Sequence, residues 1–170
     1  MSSYKTKLND ITTFIFDVDG VLTDSTVILD PSGEMVRCMN TRDGFAMQLA
    51  VKKGYHVCII TGGNSPMVKQ RLEYLGIKDV FLAAESKMAC LQEYIDKKNI
   101  PLENILYMGD DIPDHQVMRV VGLPTCPKDA APEILDVSEY VSHVNGGKGC
   151  VRDVIEQTLR VQGNWFEPAE

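Results

Sequence analysis

Positive charge is in short supply. Seventeen Lys and Arg stand against 24 Asp and Glu, giving a formal charge of -7 and a pI near 5.0. Such a chain lacks the clustered cations that displace counterions from a phosphate backbone, so nucleic acid is not an expected partner. Long hydrophobic runs are missing too. No stretch reaches the roughly 20 apolar residues of a membrane helix, and the opening MSSYKTKLNDITT holds no apolar signal-like segment, so a cytoplasmic protein without a membrane partner is expected. The five cysteines, Cys38, Cys58, Cys90, Cys126 and Cys150, are odd in number and form no C-x-x-C pair, which excludes a disulfide framework and a zinc knuckle. They read as reduced, small packing residues. What is present is ordinary for a folded domain: 44% apolar and 24% charged residues exclude disorder and fibrous repeats. At 170 residues, one domain spanning 1–170 is expected, with no room for a large separate lid.

Short apolar runs alternate with amphipathic segments. Thr13 to Phe16, Val57 to Ile60, Val80 to Leu82 and Ile105 to Met108 are continuous in the manner of strands buried on both faces. Between them, helical spacing relates Phe45, Ala46, Leu49 and Ala50; then Val68, Leu72 and Leu75, stopped by Gly76; then Met88, Leu91 and Ile95. The alternation predicts an α/β fold with a doubly wound, mostly parallel sheet, whose ligands bind at the carboxyl ends of the strands. One region departs from it. Thr26 to Leu29 and Met35 to Met39 flank Asp30-Pro31-Ser32-Gly33, which predicts a β-hairpin insert at about 25–40, after the first strand and over the strand ends. Val151, Val154, Ile155, Thr158 and Leu159 predict a last helix, and with the tail from Gly163 to Pro168 it occupies about 149–170.

Chemistry is therefore sought where strands stop. The first ends in Asp17-Val18-Asp19-Gly20; both carboxylates can face one site only if the chain leaves extended geometry, which Gly20 allows. A lone D-x-D is as readily a pair of turn aspartates. The second ends in Thr61-Gly62-Gly63-Asn64-Ser65-Pro66, where amides and a helix start form an anion site or an ordinary capped turn. The third is followed by Ser86-Lys87, by itself a solvated lysine. The fourth ends in Gly109-Asp110-Asp111-Ile112-Pro113-Asp114, three carboxylates that need a cation or helix amides between them; magnesium is the natural occupant. His56, His115 and His143 show no metal-ligand spacing, Cys126 reads as a loop residue between prolines, and Asp129 as a helix cap.

The joint pattern is more specific than its parts. D-x-D-G-V-L-T-D, I-I-T-G, a spaced lysine and G-D-D-x-x-D, in this order and at these strand ends, resemble the four motifs of the haloacid dehalogenase superfamily of phosphatases. The hairpin, Asn40-Thr41-Arg42-Asp43-Gly44, and Gly146-Gly147-Lys148-Gly149-Cys150-Val151-Arg152-Asp153 resemble its small capless branch, the 3-deoxy-D-manno-octulosonate 8-phosphate (KDO 8-phosphate) phosphatase family, across nearly the whole chain.

The resemblance implies a Rossmann-like fold without a large cap and a phosphomonoesterase that works through an aspartyl-phosphate. Asp17 would be the nucleophile and Asp19 the proton carrier, with Mg²⁺ held by Asp17, the Asp19 carbonyl and Asp110, and Asp111 or Asp114 steadying its waters. Thr61, Gly62 and Lys87 would bind phosphate. It also implies a homotetramer in which Arg71 reaches a neighbour's sugar acid, the hairpin and Gly146–Gly149 closing the site across the interface. The implied substrate is the octulosonate 8-phosphate of lipopolysaccharide synthesis; the alternatives are a nonulosonate (KDN or sialic acid) 9-phosphate and a non-catalytic regulatory module. Gly63 departs from the family pattern, which places Arg or Glu there to help read the sugar.

Overall fold

The first strand, β1 (Thr13–Phe16), is buried at every position, and the side chains of a strand alternate between faces. Phe14 and Phe16 accordingly join one apolar cluster while Ile15 joins another on the opposite face. A strand that is wet on neither side belongs in the middle of a doubly covered sheet, and β1 is found there. The structure, a computed structural model, describes residues 3–166; Met1, Ser2 and the end of the expected tail, Glu167 and Pro168, lie outside the described residues.

After β1 come a wide turn (Val18–Leu22), the hairpin strands β2 (Ile28–Leu29) and β3 (Met35–Val36), then β4 (His56–Ile60), β5 (Asp79–Phe81), β6 (Ile105–Met108), β7 (Leu123–Cys126) and β8 (Tyr140–Val141). Six strands form one sheet in the order β5-β4-β1-β6-β7-β8, every neighbouring pair parallel, and the hairpin is a separate antiparallel pair. The helices are α1 (Tyr4–Lys7), α2 (Thr41–Lys52), α3 (Pro66–Tyr74), α4 (Lys87–Lys98), α5 (His115–Met118), α6 (Pro132–Val137) and α7 (Cys150–Val161). Residues of α2, α3 and α7 cover the Phe14 face, and residues of α4, α5 and α6 the Ile15 face. The doubly wound fold and the hairpin insert are as expected.

After β1 the chain adds β4 and β5 on one side of it and then β6, β7 and β8 on the other, and this switch opens a crevice at the carboxyl end of β1. Register sets the level of what stands there. Phe16 pairs with Ile59 on one side and Met108 on the other, so Asp17 comes level with the ends of both neighbours, just before Thr61 and Asp110.

Several expectations need correction. Leu123–Cys126 is a buried strand, so Cys126 is not a loop residue. Its Pro124 is tolerated because the Pro124 carbonyl faces Glu139, and the missing N–H faces that same side before β8 begins at Tyr140. Asp129 caps no helix; its carboxylate accepts the Gly146 N–H at 2.9 Å. Phe45 is exposed, and the buried face of α2 is Asp43, Gly44, Ala46, Met47 and Ala50. Outside these corrections, Trp165 in the tail closes onto the core, with Phe45 against it edge-on at 6.3 Å, while Phe166 is exposed.

Candidate active site

The chain turns out of β1 at Asp17, whose carboxylate accepts the Val18 N–H at 2.6 Å. Asp19 and Gly20 then leave helical geometry, Gly20 at φ +85°, which points the Asp17 and Asp19 side chains into one cleft of about 500 Å³. Glycine is required at position 20 for a second reason: a Cβ there would lie 1.8 Å from an Asp110 oxygen. The Asp110 carboxylate therefore rests against the backbone just beyond the Asp19 carbonyl.

Lys87 is the first residue of α4, with Ser86 as N-cap accepting the Ala89 N–H. It is not solvated. Its ammonium lies 2.7 Å from Asp17 Oδ2 and 2.7 Å from Asp114 Oδ1, at the floor of the crevice. Asp114 is fully buried and accepts from three donors: Lys87, the Tyr107 hydroxyl at 2.5 Å and the Asp110 N–H at 3.2 Å. It fixes both the lysine and the loop that carries Asp110. Asp111 is exposed and caps its own turn through the Ile112 N–H at 2.8 Å.

One carboxylate oxygen each from Asp17, Asp110 and Asp114 lies within 4.8 Å of the others. Burial first, and then Asp114, raises the Asp17 carboxyl to about 6 despite Lys87; burial and then Asp17 raise Asp110 to about 7. Burial would lower the Lys87 ammonium, but Asp17 and Asp114 together hold it above its ordinary value. Crowded hard oxygens that resist ionisation together are a donor set suited to a divalent cation. Thr61 is buried at the end of β4, and its Oγ1 accepts the Gly63 N–H at 3.1 Å, leaving its own proton to donate into the cleft. A Cβ at Gly62 would meet nothing within 4 Å, so the loop is open on that side.

A family model of haloacid dehalogenase-like hydrolases matches residues 79–155. Over 162 residues the chain is 37% identical to the 3-deoxy-D-manno-octulosonate 8-phosphate phosphatase of Salmonella typhi, covering 95% of this chain and 86% of that one. The chain belongs to this phosphatase family of haloacid dehalogenase-like hydrolases. The Escherichia coli K12 member is 36% identical over 161 residues, with 95% and 86% covered. Among solved structures, the Moraxella catarrhalis KDO 8-phosphate phosphatase, in complex with magnesium, phosphate and KDO, superposes with a TM-score of 0.91 at 32% identity, covering 95% of this chain and 92% of that one. The Yersinia pestis enzyme gives 0.92 at 31%, with 95% and 87% covered.

Within the family frame, the structure gathers Asp17, Asp19, Thr61, Gly62, Lys87 and Asp110 around one cleft, as the motifs imply. Arg71 stands elsewhere. It lines a groove of about 460 Å³ between the hairpin and α3, its guanidinium 5.6 Å from the Tyr74 ring. The glycine-rich segment is engaged within its own chain: the Gly147 N–H donates to the Val21 carbonyl at 2.9 Å, and Lys148 pairs with Asp24 at 3.2 Å. It buttresses the loop after β1 in cis. Two residues in contact with the cleft's carboxylates escape sequence reasoning: Tyr107, which reads only as a strand residue, and Arg37, whose guanidinium grips both oxygens of Asp19, Nε at 2.7 Å and a terminal nitrogen at 3.0 Å.

Proposed function

We propose that this chain hydrolyses 3-deoxy-D-manno-octulosonate 8-phosphate to KDO and phosphate, in the cytoplasm, as a step of lipopolysaccharide synthesis. The observation that carries the chemistry is the Asp17 carboxylate, fixed by Val18 and Lys87 at the switch point and open to a cleft that Asp19 also lines. The substrate follows from the relatives, which are named for the octulosonate rather than a nonulosonate. With nucleophile, proton carrier, lysine and metal carboxylate all facing one crevice, the non-catalytic reading has no support.

In the first half-reaction an Asp17 oxygen attacks phosphorus; the new O–P bond forms as the bond to the sugar oxygen breaks, and Asp19 gives its proton to that oxygen. In the second, Asp19 takes a proton from water, whose oxygen attacks phosphorus and frees Asp17. The Thr61 hydroxyl, the Gly62 amide and Lys87 hold the phosphoryl oxygens, fixed donors that need no reorganisation as charge shifts. Asp17, the Asp19 carbonyl and Asp110 would hold Mg²⁺, which would supply positive charge between nucleophile and phosphate. Asp114 orients Lys87 and the Asp110 loop, and Asp111 at the rim, or Asp114, would steady the metal's waters.

The chain acts as one domain over 1–170 and assembles as a homotetramer. Supporting this, the hairpin exposes Ile28, Leu29, Met35 and Val36, with Met67 exposed at the start of α3 beside it. Arg71, outside its own chain's cleft, is then free to serve a neighbour's substrate carboxylate through a bidentate contact. Steady-state rates on the octulosonate 8-phosphate, a nonulosonate 9-phosphate and a simple aryl phosphate test the assignment. A flat panel, or preference for the nonulosonate, overturns it.

A further inference from the structure

Asp19 is the partly exposed member of the catalytic pair, at the tip of a turn, and no backbone donor fixes its carboxylate among the described residues. Arg37 does. Its Nε and one terminal nitrogen meet the two Asp19 oxygens at 2.7 and 3.0 Å, the parallel geometry of a guanidinium on a carboxylate. The other terminal nitrogen donates to the Met35 carbonyl at 2.8 Å, so the guanidinium is anchored to its own hairpin while it holds Asp19. The Arg37 side chain is only 6% exposed, which makes it a fixed strut rather than a surface arginine. Two of the four lone-pair positions of the carboxylate are used, and the others stay open to the cleft.

Gly63 explains how the strut fits. A Cβ at position 63 would lie 3.3 Å from the Arg37 terminal nitrogen and 3.6 Å from an Asp19 oxygen, a tight fit that a branched side chain would crowd further. Position 63 has no positive φ among the glycines, so its backbone does not demand glycine; what glycine leaves there is room beside the arginine.

We infer that Arg37 is a positioning residue for the reaction: the hairpin guanidinium, in space kept clear by Gly63, holds the Asp19 carboxylate where the leaving oxygen departs. This rests on reading Asp19 as the proton carrier. A poorly held Asp19 delays protonation of an alkoxide but matters little to an aryl oxide, which leaves without help. The loss belongs in kcat, not KM, because Arg37 touches neither phosphate nor nucleophile.

The test compares Arg37→Ala, Arg37→Lys and Gly63→Val on two substrates without a carboxylate, a simple alkyl phosphate and an aryl phosphate. Since a general acid contributes about 10²- to 10⁴-fold and only its orientation is lost, Arg37→Ala should lower kcat on the alkyl ester about tenfold or more, and on the aryl ester less than about threefold. Gly63→Val, which keeps the arginine but crowds it, should show the same selectivity. Arg37→Lys should recover part of the alkyl rate by keeping the charge without the fork, and added guanidinium should partly rescue Arg37→Ala. Asp19→Asn run in parallel separates the two layers: equal losses on both esters in that variant refute the proton-carrier reading itself. If Asp19→Asn is leaving-group selective but Arg37→Ala is not, the strut alone is refuted. With the sugar-acid phosphate run as a third substrate, a loss seen only there and only as a raised KM would instead make Arg37 a substrate reader and overturn the inference. Should Arg37→Ala not fold, Arg37→Lys and Gly63→Val carry the same comparison.

Discussion

Asp114 touches no substrate in this scheme, yet its removal should be among the most damaging single changes in the site. The carboxylate is fully buried and holds three donors: Lys87 at 2.7 Å, Tyr107 at 2.5 Å and the Asp110 N–H at 3.2 Å. Asp114→Ala strands the hydroxyl of Tyr107, itself fully buried, and an amide; each buried donor left unpaired costs about 1–3 kcal/mol. Breaking a buried ion pair by deleting one partner costs about 3–5 kcal/mol, but Lys87 keeps Asp17, and losing one of three crowded carboxylates relieves repulsion. These contributions share partners and do not add, so a net loss of about 3 kcal/mol is expected. For a domain of this size that is a fall in Tm of about 6–12 °C. Asp114→Asn keeps the shape and one acceptor oxygen, so it should lose about half as much. Urea unfolding in chelator at fixed protein concentration reads the stability, and the Mg²⁺ concentration for half-maximal activity reads the Asp110 loop; it should rise about 10- to 100-fold in Asp114→Ala. Stability within about 0.5 kcal/mol of wild type together with an unchanged Mg²⁺ requirement would refute the account of Asp114 as the group that fixes Lys87 and Asp110.

Asp17→Asn should abolish turnover with the fold retained, since an amide is a poor nucleophile; wild-type turnover would remove the aspartyl-phosphate route. Without metal, stability should fall as pH rises from about 4 to 7: Asp17 and Asp110 are raised to about 6 and about 7, so the folded chain binds more protons than the unfolded chain in that window. Mg²⁺ relieves the repulsion of the ionised carboxylates and competes with protons, so its stabilising shift in Tm should be larger at pH 7.5 than at pH 5, and equal shifts would contradict a carboxylate site. Arg71→Ala should raise KM for the sugar-acid phosphate about tenfold, the scale of one charge-assisted contact, and leave an aryl phosphate unaffected; equal effects on both would exclude a carboxylate reader.

Much of this was legible in the sequence because it is local. Runs such as Thr13 to Phe16 and Ile105 to Met108 carry their own burial pattern, and the motif residues sit beside them in the chain, so the order of strands is enough to bring them together. The sequence fails where the signal is short or distant. Strand β8 has two residues and β7 carries a proline, so neither reads as a strand, although both extend the sheet beside β6. Tyr107 looks like one more buried strand residue, and nothing local marks the hydroxyl at its end as the partner of Asp114. Arg37 lies 18 residues from Asp19, across a turn whose path the sequence does not specify. Asp43 is the same kind of case: a first-turn residue of α2 that is buried against α7, its oxygen accepting the Arg152 N–H at 2.7 Å.

The two halves of the site are held by different means, and this bears on how such a phosphatase can change substrate. The phosphoryl half is locked into the fold: Asp17 hangs from β1 in the middle of the sheet, and Lys87 and Asp114 are buried against it, so a change of shape there is felt by the fold as well as by the rate. The leaving-group half hangs from the surface. Asp19 is partly exposed, and Arg37 reaches it from a hairpin whose strands have two residues each and whose Ile28 and Leu29 lie mostly in solvent. Arg37 follows a two-residue hairpin strand and position 63 carries no side chain, so, with Asp19 read as the proton carrier, substitutions there would re-aim it while the domain remains folded. On that reading the chemistry is fixed by the core, and the choice of leaving group would be left to an arginine, a glycine and a short hairpin.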